Sequence, residues 1–463
     1  MKFTQYYLDC LSQASYLIGD ETTGRAVVVD PRRDIDEYLA DAKADGFEIT
    51  HVIVTHFHAD FLSGHLELAD AAGATIVFGA KANADFEFHG ASDGETLSLG
   101  EVTLEFRETP GHTPESISIV VREHADDEVP YGVLTGDTLF IGDVGRPDLL
   151  ASVGVTADEL ARALYRSLHE RLMVLPDATR VFPAHGAGSA CGKNLSTETV
   201  STIGEQRATN YALQPMDVEA FVAAVTEGQP AAPGYFIYNA TLNKQDRALI
   251  DEEAPAPLDL AEVLAAQASG AVVVDTRDPI SFAAGHLLGS INVGLDGRYA
   301  EFVGSVVAPD QDIVVVTGPG DEAEAKVRLA RIGYDRVLGA LRDGVGSLAN
   351  RPDLVGRASR LTVGQFEDRR SEVGPQVVDI RNPGEQAIGT IPDALTIPIA
   401  QLGDRIDEID LDRPVVVYCA GGYRSSIAAS LLRSKGASDV SDLLGGYGAW
   451  LQTTNPTLEI LNP

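Results

Sequence analysis

Cysteine is scarce: Cys10, Cys191 and Cys419 are the only three in 463 residues. Three scattered thiols build no disulfide framework. That excludes a small stapled scaffold and points to a reducing, cytoplasmic setting. Basic residues are also few, 35 Lys and Arg against 69 Asp and Glu, for a net charge of −34. Phosphate backbones and anionic lipid surfaces repel such a chain, so neither nucleic-acid nor membrane partners are expected. No apolar run approaches the length of a membrane span, and the start "MKFTQYYLDCLSQASYL" lacks the apolar stretch of a signal peptide. What remains is an ordinary globular composition, 44% hydrophobic and 22% charged. At roughly 150 residues per domain the length accommodates about three.

Residues 1–250 alternate strand and helix patterns. "GRAVVVDP", "THVIVTH", "TIVFG", "VTLEF", "SISIVV", "YGVLTGD" and "TRVFPAHG" read as strands. "IDEYLADAKADG" and "ADELARALYRSL" have helical spacing, the first with a Gly stop. The Pro- and acid-rich "DEEAPAPLD" (Asp251–Asp259) reads as a linker. Two similar units follow, over 256–350 and 357–463, joined by "LANRPDLVGRAS". Each carries a strand, Asp-x-Arg-(Asp/Asn)-Pro, a Gly-containing turn and then strand–loop–helix: "VVVDTRDP" with "DIVVVTGPGDEAEAKV", and "VVDIRNPG" with "PVVVYCAGGYRSS". This is a duplication with a period of roughly a hundred residues, too long for a solenoid. Alternating βα units predict parallel sheets flanked by helices.

Chemistry-bearing residues gather at strand ends of the first segment. "THFHADFLSGH" supplies His56, His58 and Asp60; "TPGHTPES" adds His112, "LTGDTLF" Asp137 and "FPAHG" His185. Four strand ends bearing His or Asp in this order predict a metal site at one sheet edge. The histidines at 51, 65, 89, 124, 169 and 286 lack such a context and read as structural or surface groups.

These motifs resemble the metallo-β-lactamase superfamily, whose αββα sandwich is the fold expected for 1–250. Members usually read His-x-His-x-Asp-His and hold two metals, the last histidine serving the second metal together with the residues at Asp60 and His185. Here that position is Phe61, which cannot coordinate a cation. A dinuclear thioesterase of the glyoxalase II kind therefore loses a ligand. The persulfide dioxygenase branch works with one metal, and resemblance to it implies one Fe(II) per chain held by His56, His112 and Asp137. Two imidazoles and a carboxylate leave one face open for oxygen and a substrate sulfur. Spacing alone does not separate His56 from His58 as ligand; the resemblance implies His56. His58, Asp60 and His185 become orienting groups around the ligands. "GDVGRPDL" looks like the loop of this branch, with Arg146 either an anion contact or a loop-shaping ion pair. Cys191, near the expected mouth, is either a sulfur relay or a buried thiol. Lys193, Arg207 and Asn210 are candidate contacts to the carboxylate or phosphate of a thiol cofactor.

In the last segment "VVVYCAGGYRSS" places Cys419 between an apolar strand and a Gly-rich loop that opens a helix. Loop N–H groups from Ala420, Gly421, Gly422, Tyr423 and Ser425, with Arg424, are expected to stabilise a nucleophilic thiolate. Four residues separate Cys419 from Arg424, fewer than the five with which cysteine phosphatases wrap a phosphate. The tighter loop fits a single sulfur. With "LLGGYGAW" near the end, it resembles rhodanese sulfurtransferases. In the first copy Thr317 or Gly318 replaces the cysteine, and Pro319, Asp321 and Glu322 disrupt the cradle, which predicts an inactive rhodanese-like domain.

The combined expectation is an α/β multidomain chain: a metallo-β-lactamase sandwich followed by two parallel-sheet rhodanese domains, one degenerate and one active. Resemblance to fused persulfide dioxygenase–sulfurtransferases of bacterial sulfide detoxification implies a low-molecular-weight persulfide, O2 and sulfite as partners. Its implied products are sulfite, thiol and, through Cys419, thiosulfate. A homo-oligomer, dimer or tetramer, is expected. The rival readings are a thioester hydrolase with a sulfurtransferase tail and a sulfur-sensing binding protein.

Overall fold

The computed structural model describes residues 1–149 and 154–454. The last nine positions of the segment predicted over 357–463 therefore lie outside the described residues. Two compact units are present. The first comprises Met1–Ala232, Phe236–Asp251 and Ala330–Gly333; the second comprises Pro233–Tyr235, Glu252–Leu329 and the chain from Tyr334 on.

The first unit holds two six-stranded sheets. One consists of β1 (Lys2–Leu8), β2 (Gln13–Asp20), β3 (Arg25–Val29), β4 (Glu48–Ile53), β5 (Thr75–Gly79) and β6 (His89–Ala91), in sequence order across the sheet. The other runs from β7 (Thr96–Ser98) through β8 (Thr103–Glu108), β9 (Ile117–Arg122), β10 (Gly132–Gly136) and β11 (Arg180–Pro183) to β12 (Ser201–Thr202). Side chains alternate along a strand, so the two faces of β3 enter different cores. Val27 and Val29 join a core with Leu104, Phe106, Ile119 and Leu134 of the other sheet. Ala26 and Val28 instead pack with Tyr38, Ala42 and Leu68 from the helices Asp36–Asp45 and His65–Ala72. Val120, Val133 and Val181 meet Ala161 and Leu164 of the helix Ala157–Arg166 on the outer face of the second sheet. This is the expected αββα sandwich. Gly46, at φ +76°, ends the first helix where the sequence places its stop.

The second unit contains two five-stranded parallel sheets of matching order. One runs Pro257–Leu258, Val337–Leu341, Ile313–Val316, Val272–Asp275, Ile291–Asn292. The other runs Ser359–Leu361, Val440–Leu443, Val415–Tyr418, Gln376–Asp379, Leu395–Thr396. The duplicated Asp-x-Arg motif has a structural cause. Arg381 pairs with Asp379 (2.6 Å) and donates to the Gly389 carbonyl (2.6 Å); Arg277 does the same with Asp275 (2.6 Å) and Gly285 (2.9 Å). Each arginine pins the turn beyond its strand. The predicted linker is shorter than expected. Pro257–Leu258 is an edge strand, where a missing N–H is tolerated, and Asp259 caps the helix Leu260–Ala268 through a capping box with Glu262.

Candidate metal centre and sulfur site

His56, His112, Asp137 and His185 each come after a strand, β4, β8, β10 and β11 respectively, and all four are buried. His56, His112 and Asp137 present ligand atoms within 4.8 Å of one another. Asp137 Oδ2 lies 3.7 Å from His56 Nε2 and 3.5 Å from His112 Nε2. Hydrogen-bond direction fixes what those atoms can do. Thr55 Oγ1 donates to Asp30 Oδ2 (2.9 Å), so its oxygen accepts the Nδ1 proton of His56 (3.0 Å). His112 Nδ1 donates to the Arg146 carbonyl (2.9 Å). Both rings therefore turn an unprotonated Nε2 inward. His56 Nε2 and Asp137 Oδ2 are buried without a hydrogen-bond partner, an arrangement that costs free energy unless a cation takes up the lone pairs. The donor set fits a divalent metal.

Electrostatics agree. Burial, and then the neighbouring His58, push His56 well below the usual histidine range, and burial lowers His112. Burial opposes ionisation of Asp137, but attraction to His185 and a 2.7 Å hydrogen bond from it overturn this and hold the carboxyl far below its usual range. Neutral imidazoles around an ionised carboxylate are the ligand state a metal needs.

His58, Asp60 and His185 form an adjacent group, again within 4.8 Å. His185 bridges Asp137 (2.7 Å) and Asp60 (2.8 Å), while His58 Nε2 donates to Asp30 Oδ1 (3.0 Å). Phe61, fully buried, lies against the His58 ring with 4.3 Å between centroids. Two positioning residues were not singled out from the sequence. Asp30 sits at φ +50°, a conformation unusual outside glycine, and its carboxylate holds Thr55 and His58 together. Asn243 donates to the carbonyls of His58 and Phe61 (both 2.8 Å) and accepts from Ser63 N–H (2.9 Å), clamping the motif loop. Only the Asp-Pro step in "VVVDPRR" hints at the first; an isolated Asn gives no signal of the second.

The candidate substrate contacts have partners within the protein. Arg146 is buried, paired twice with Asp148 (2.7 Å each) and bonded to the Ala190 and Pro230 carbonyls; it shapes the loop. Lys193 donates to the carbonyls of Ala224 and Glu227, and Arg207 to Asp177 and the Met173 carbonyl. Asn210 is fully buried and bonds the Asp143 carbonyl. Intramolecular partners take up these donors. Cys191 lies inside rather than at a mouth. It is 1% exposed and grouped with Asp137 and His185, and burial pushes its thiol well up.

At the sulfur site Cys419 directly follows the strand Val415–Tyr418 and is buried, while Ala420 and Gly421 are exposed. The Gly422 N–H donates to its Sγ (3.0 Å), and Ser425 Oγ lies 3.7 Å from it. Gly422 adopts φ +104°, which favours glycine. The "LLGGYGAW" segment closes over the loop: Tyr447 N–H and Gly448 N–H donate to the carbonyls of Cys419 (2.7 Å) and Ala420 (3.2 Å). The Tyr423 hydroxyl donates to the Gly294 carbonyl of the first copy (3.0 Å). Arg424 forms a two-pronged pair with Glu385, 2.7 Å on each arm.

Family models match residues 8–185 as metallo-beta-lactamase superfamily, and 259–349 and 362–453 as rhodanese-like domain. The persulfide dioxygenase ETHE1, mitochondrial, of Bos taurus is 31% identical over 210 residues, 45% of this chain and 74% of that protein. A hydroxyacylglutathione hydrolase of Polaromonas is 34% identical over 174 residues, 37% of this chain and 61% of that protein. A crystal structure described as a metallo-beta-lactamase from Staphylococcus aureus superposes with a TM-score of 0.69 at 33% identity, covering 74% of this chain and 99% of that one. The chain belongs to the metallo-β-lactamase superfamily. Its metallo-β-lactamase domain has persulfide dioxygenase homologues and is followed by two rhodanese-like domains, the architecture and fold class expected from the motifs. No helix among the described residues is long and apolar enough to cross a membrane.

Proposed function

We propose that the protein oxidises a low-molecular-weight persulfide with O2 at a mononuclear Fe(II), and that Cys419 then transfers sulfane sulfur to the product. The first reaction takes persulfide, O2 and water to thiol, sulfite and two protons. In the second, the Cys419 thiolate takes the outer sulfur of a second persulfide, whose thiol leaves, and sulfite then attacks the outer sulfur of the Cys419 persulfide, forming thiosulfate and releasing the Cys419 thiolate. The segments assigned are 1–250 for oxidation, 256–350 for the degenerate copy and 357–463 for transfer. The observation that carries this reading is the convergence of two unprotonated imidazole nitrogens and one carboxylate oxygen, all buried, with a phenyl ring against the neighbouring His58.

A bound Fe(II) would supply Lewis acidity, redox activity and open positions on one face. The protein's own residues do the rest. Asp30, through Thr55, keeps the His56 Nε2 lone pair directed inward. The Arg146 carbonyl does this for His112, and His185 orients the Asp137 carboxylate. Phe61 excludes water and an imidazole from the neighbouring position.

The hydrolytic alternative draws on the Polaromonas relative, and oxygen separates the two. Metal-reconstituted protein should consume O2 when given a persulfide and release sulfur oxyanions. Hydrolysis of a thioester at full rate under anaerobic conditions, with no oxygen uptake on any persulfide, would favour the hydrolase.

A further inference from the structure

Two arginines approach the Cys419 loop among the described residues, and each is closed by a carboxylate. Arg424 is held by Glu385 on both arms. Arg360, whose Nη2 comes within 4.0 Å of where a Cβ on Gly422 would lie, is held by Asp442 at 3.0 and 3.1 Å. A loop built to hold a multiply charged oxyanion would leave such cations open. This one presents the Gly422 N–H and a guanidinium already paired with a carboxylate.

The duplicated domain supplies an internal control. Glu385 is the third residue of the short helix Pro383–Ala387, where it also accepts the Asn382 N–H (2.9 Å). The corresponding helix of the first copy, Pro279–Ala284, has Ser281 in that place and forms without a glutamate, capped by Asp278. Aligning Cys419 with Thr317 puts Glu322 opposite Arg424. The copy that lacks the cysteine thus lacks both members of the pair, while the Asp-x-Arg pair that shapes the turn is present in both copies. The Glu385–Arg424 pair accompanies the sulfur chemistry rather than the fold.

We propose that Glu385 is a specificity-determining residue of the Cys419 site. By closing Arg424 it withholds positive charge from incoming anions, so the site favours sulfur partners of low negative charge and makes an oxyanion compete with Glu385 for the guanidinium. The proposal rests on Cys419 being the sulfur-carrying nucleophile. Arg424 is half of a mutual stabilisation: burial disfavours its charge, yet the Glu385 carboxylate, and to a smaller extent the Cys419 sulfur, raise its pKa above the usual value.

Alkylation of Cys419 in the full chain tests this without any substrate. Neutral iodoacetamide and anionic iodoacetate are compared at one pH and ionic strength, with labelling read at the Cys419 peptide by mass spectrometry. Glu385→Gln should shift the ratio of rate constants toward iodoacetate by about threefold or more, the scale of one unit charge at this range in a partly solvated site. Glu385→Asp should keep the wild-type ratio, and Cys10 in the same samples should not change. Added salt should speed the wild-type reaction with iodoacetate more than that with iodoacetamide; this measurement stands even if the Gln variant misfolds. An unchanged ratio in folded Glu385→Gln, or wild-type rates equally insensitive to salt, would overturn the proposal. Failure of the transferase reading would show elsewhere, as thiosulfate formation that survives removal of Cys419.

Discussion

At position 61 a phenyl ring stands 4.3 Å from the His58 imidazole and 6.3 Å from that of His185, centroid to centroid. The resemblance drawn from the motif implies a ligand histidine at this position, and the ring that stands there instead is fully buried and apolar. If this ring is what keeps the centre mononuclear, Phe61→His should raise tightly bound metal from about one to about two ions per chain. Elemental analysis after anaerobic reconstitution measures it. Two tightly bound ions per chain in active wild-type protein would remove the role given to Phe61. Residue identity was legible here because a substitution inside a known pattern stands out. The roles of Asp30 and Asn243 were not, because each acts through hydrogen bonds to residues 25 or more positions away, and no local pattern encodes such a pairing.

At the scale of elements, the strands that carry the chemistry were readable from their apolar patterns: β10 is buried along its whole length, and β8 alternates buried Leu104 and Phe106 with Glu105 and Arg107. The β1–β2 ribbon was not: "KFTQYYL" is only partly buried along most of its length and mixes aromatic with polar residues, so neither alternation nor an apolar run marks it. Loops were the least legible. The segment after β10 shows why: the sequence leaves Arg146 open between an anion contact and a loop-shaping ion pair, and only the turn that folds it inward gives it Asp148 as partner. In the same loop a Cβ on Gly145 would fall 1.9 Å from the Asp137 carbonyl oxygen and 3.1 Å from His112 Cβ. Gly145→Ala should therefore displace the metal-bearing loop, destabilise the protein by about 1–3 kcal/mol and weaken metal binding at least tenfold. Thermal melts with and without metal, alongside a metal titration, read both effects. Wild-type metal affinity in that variant would show that the loop is not held by this contact.

For the whole molecule, under the proposed function the fusion would place a producer of sulfite and a carrier of sulfane sulfur on one chain, which would raise their effective concentration for each other. The first rhodanese-like copy has Thr317 where the second has Cys419, so it has no thiol in that loop with which to substitute. The two chemistries should then separate cleanly, since a serine hydroxyl cannot hold a sulfane sulfur and lies on a strand end remote in sequence from the metal ligands. The most direct measurement is the product distribution of Cys419→Ser against wild type, with oxygen uptake followed in the same vessel. Given excess persulfide, wild type is expected to release mostly thiosulfate. Cys419→Ser should consume oxygen at a near-normal rate and release sulfite instead. Undiminished thiosulfate from Cys419→Ser, after correction for the non-enzymatic reaction of sulfite with persulfide, or an absence of oxygen uptake in both proteins, would contradict the account.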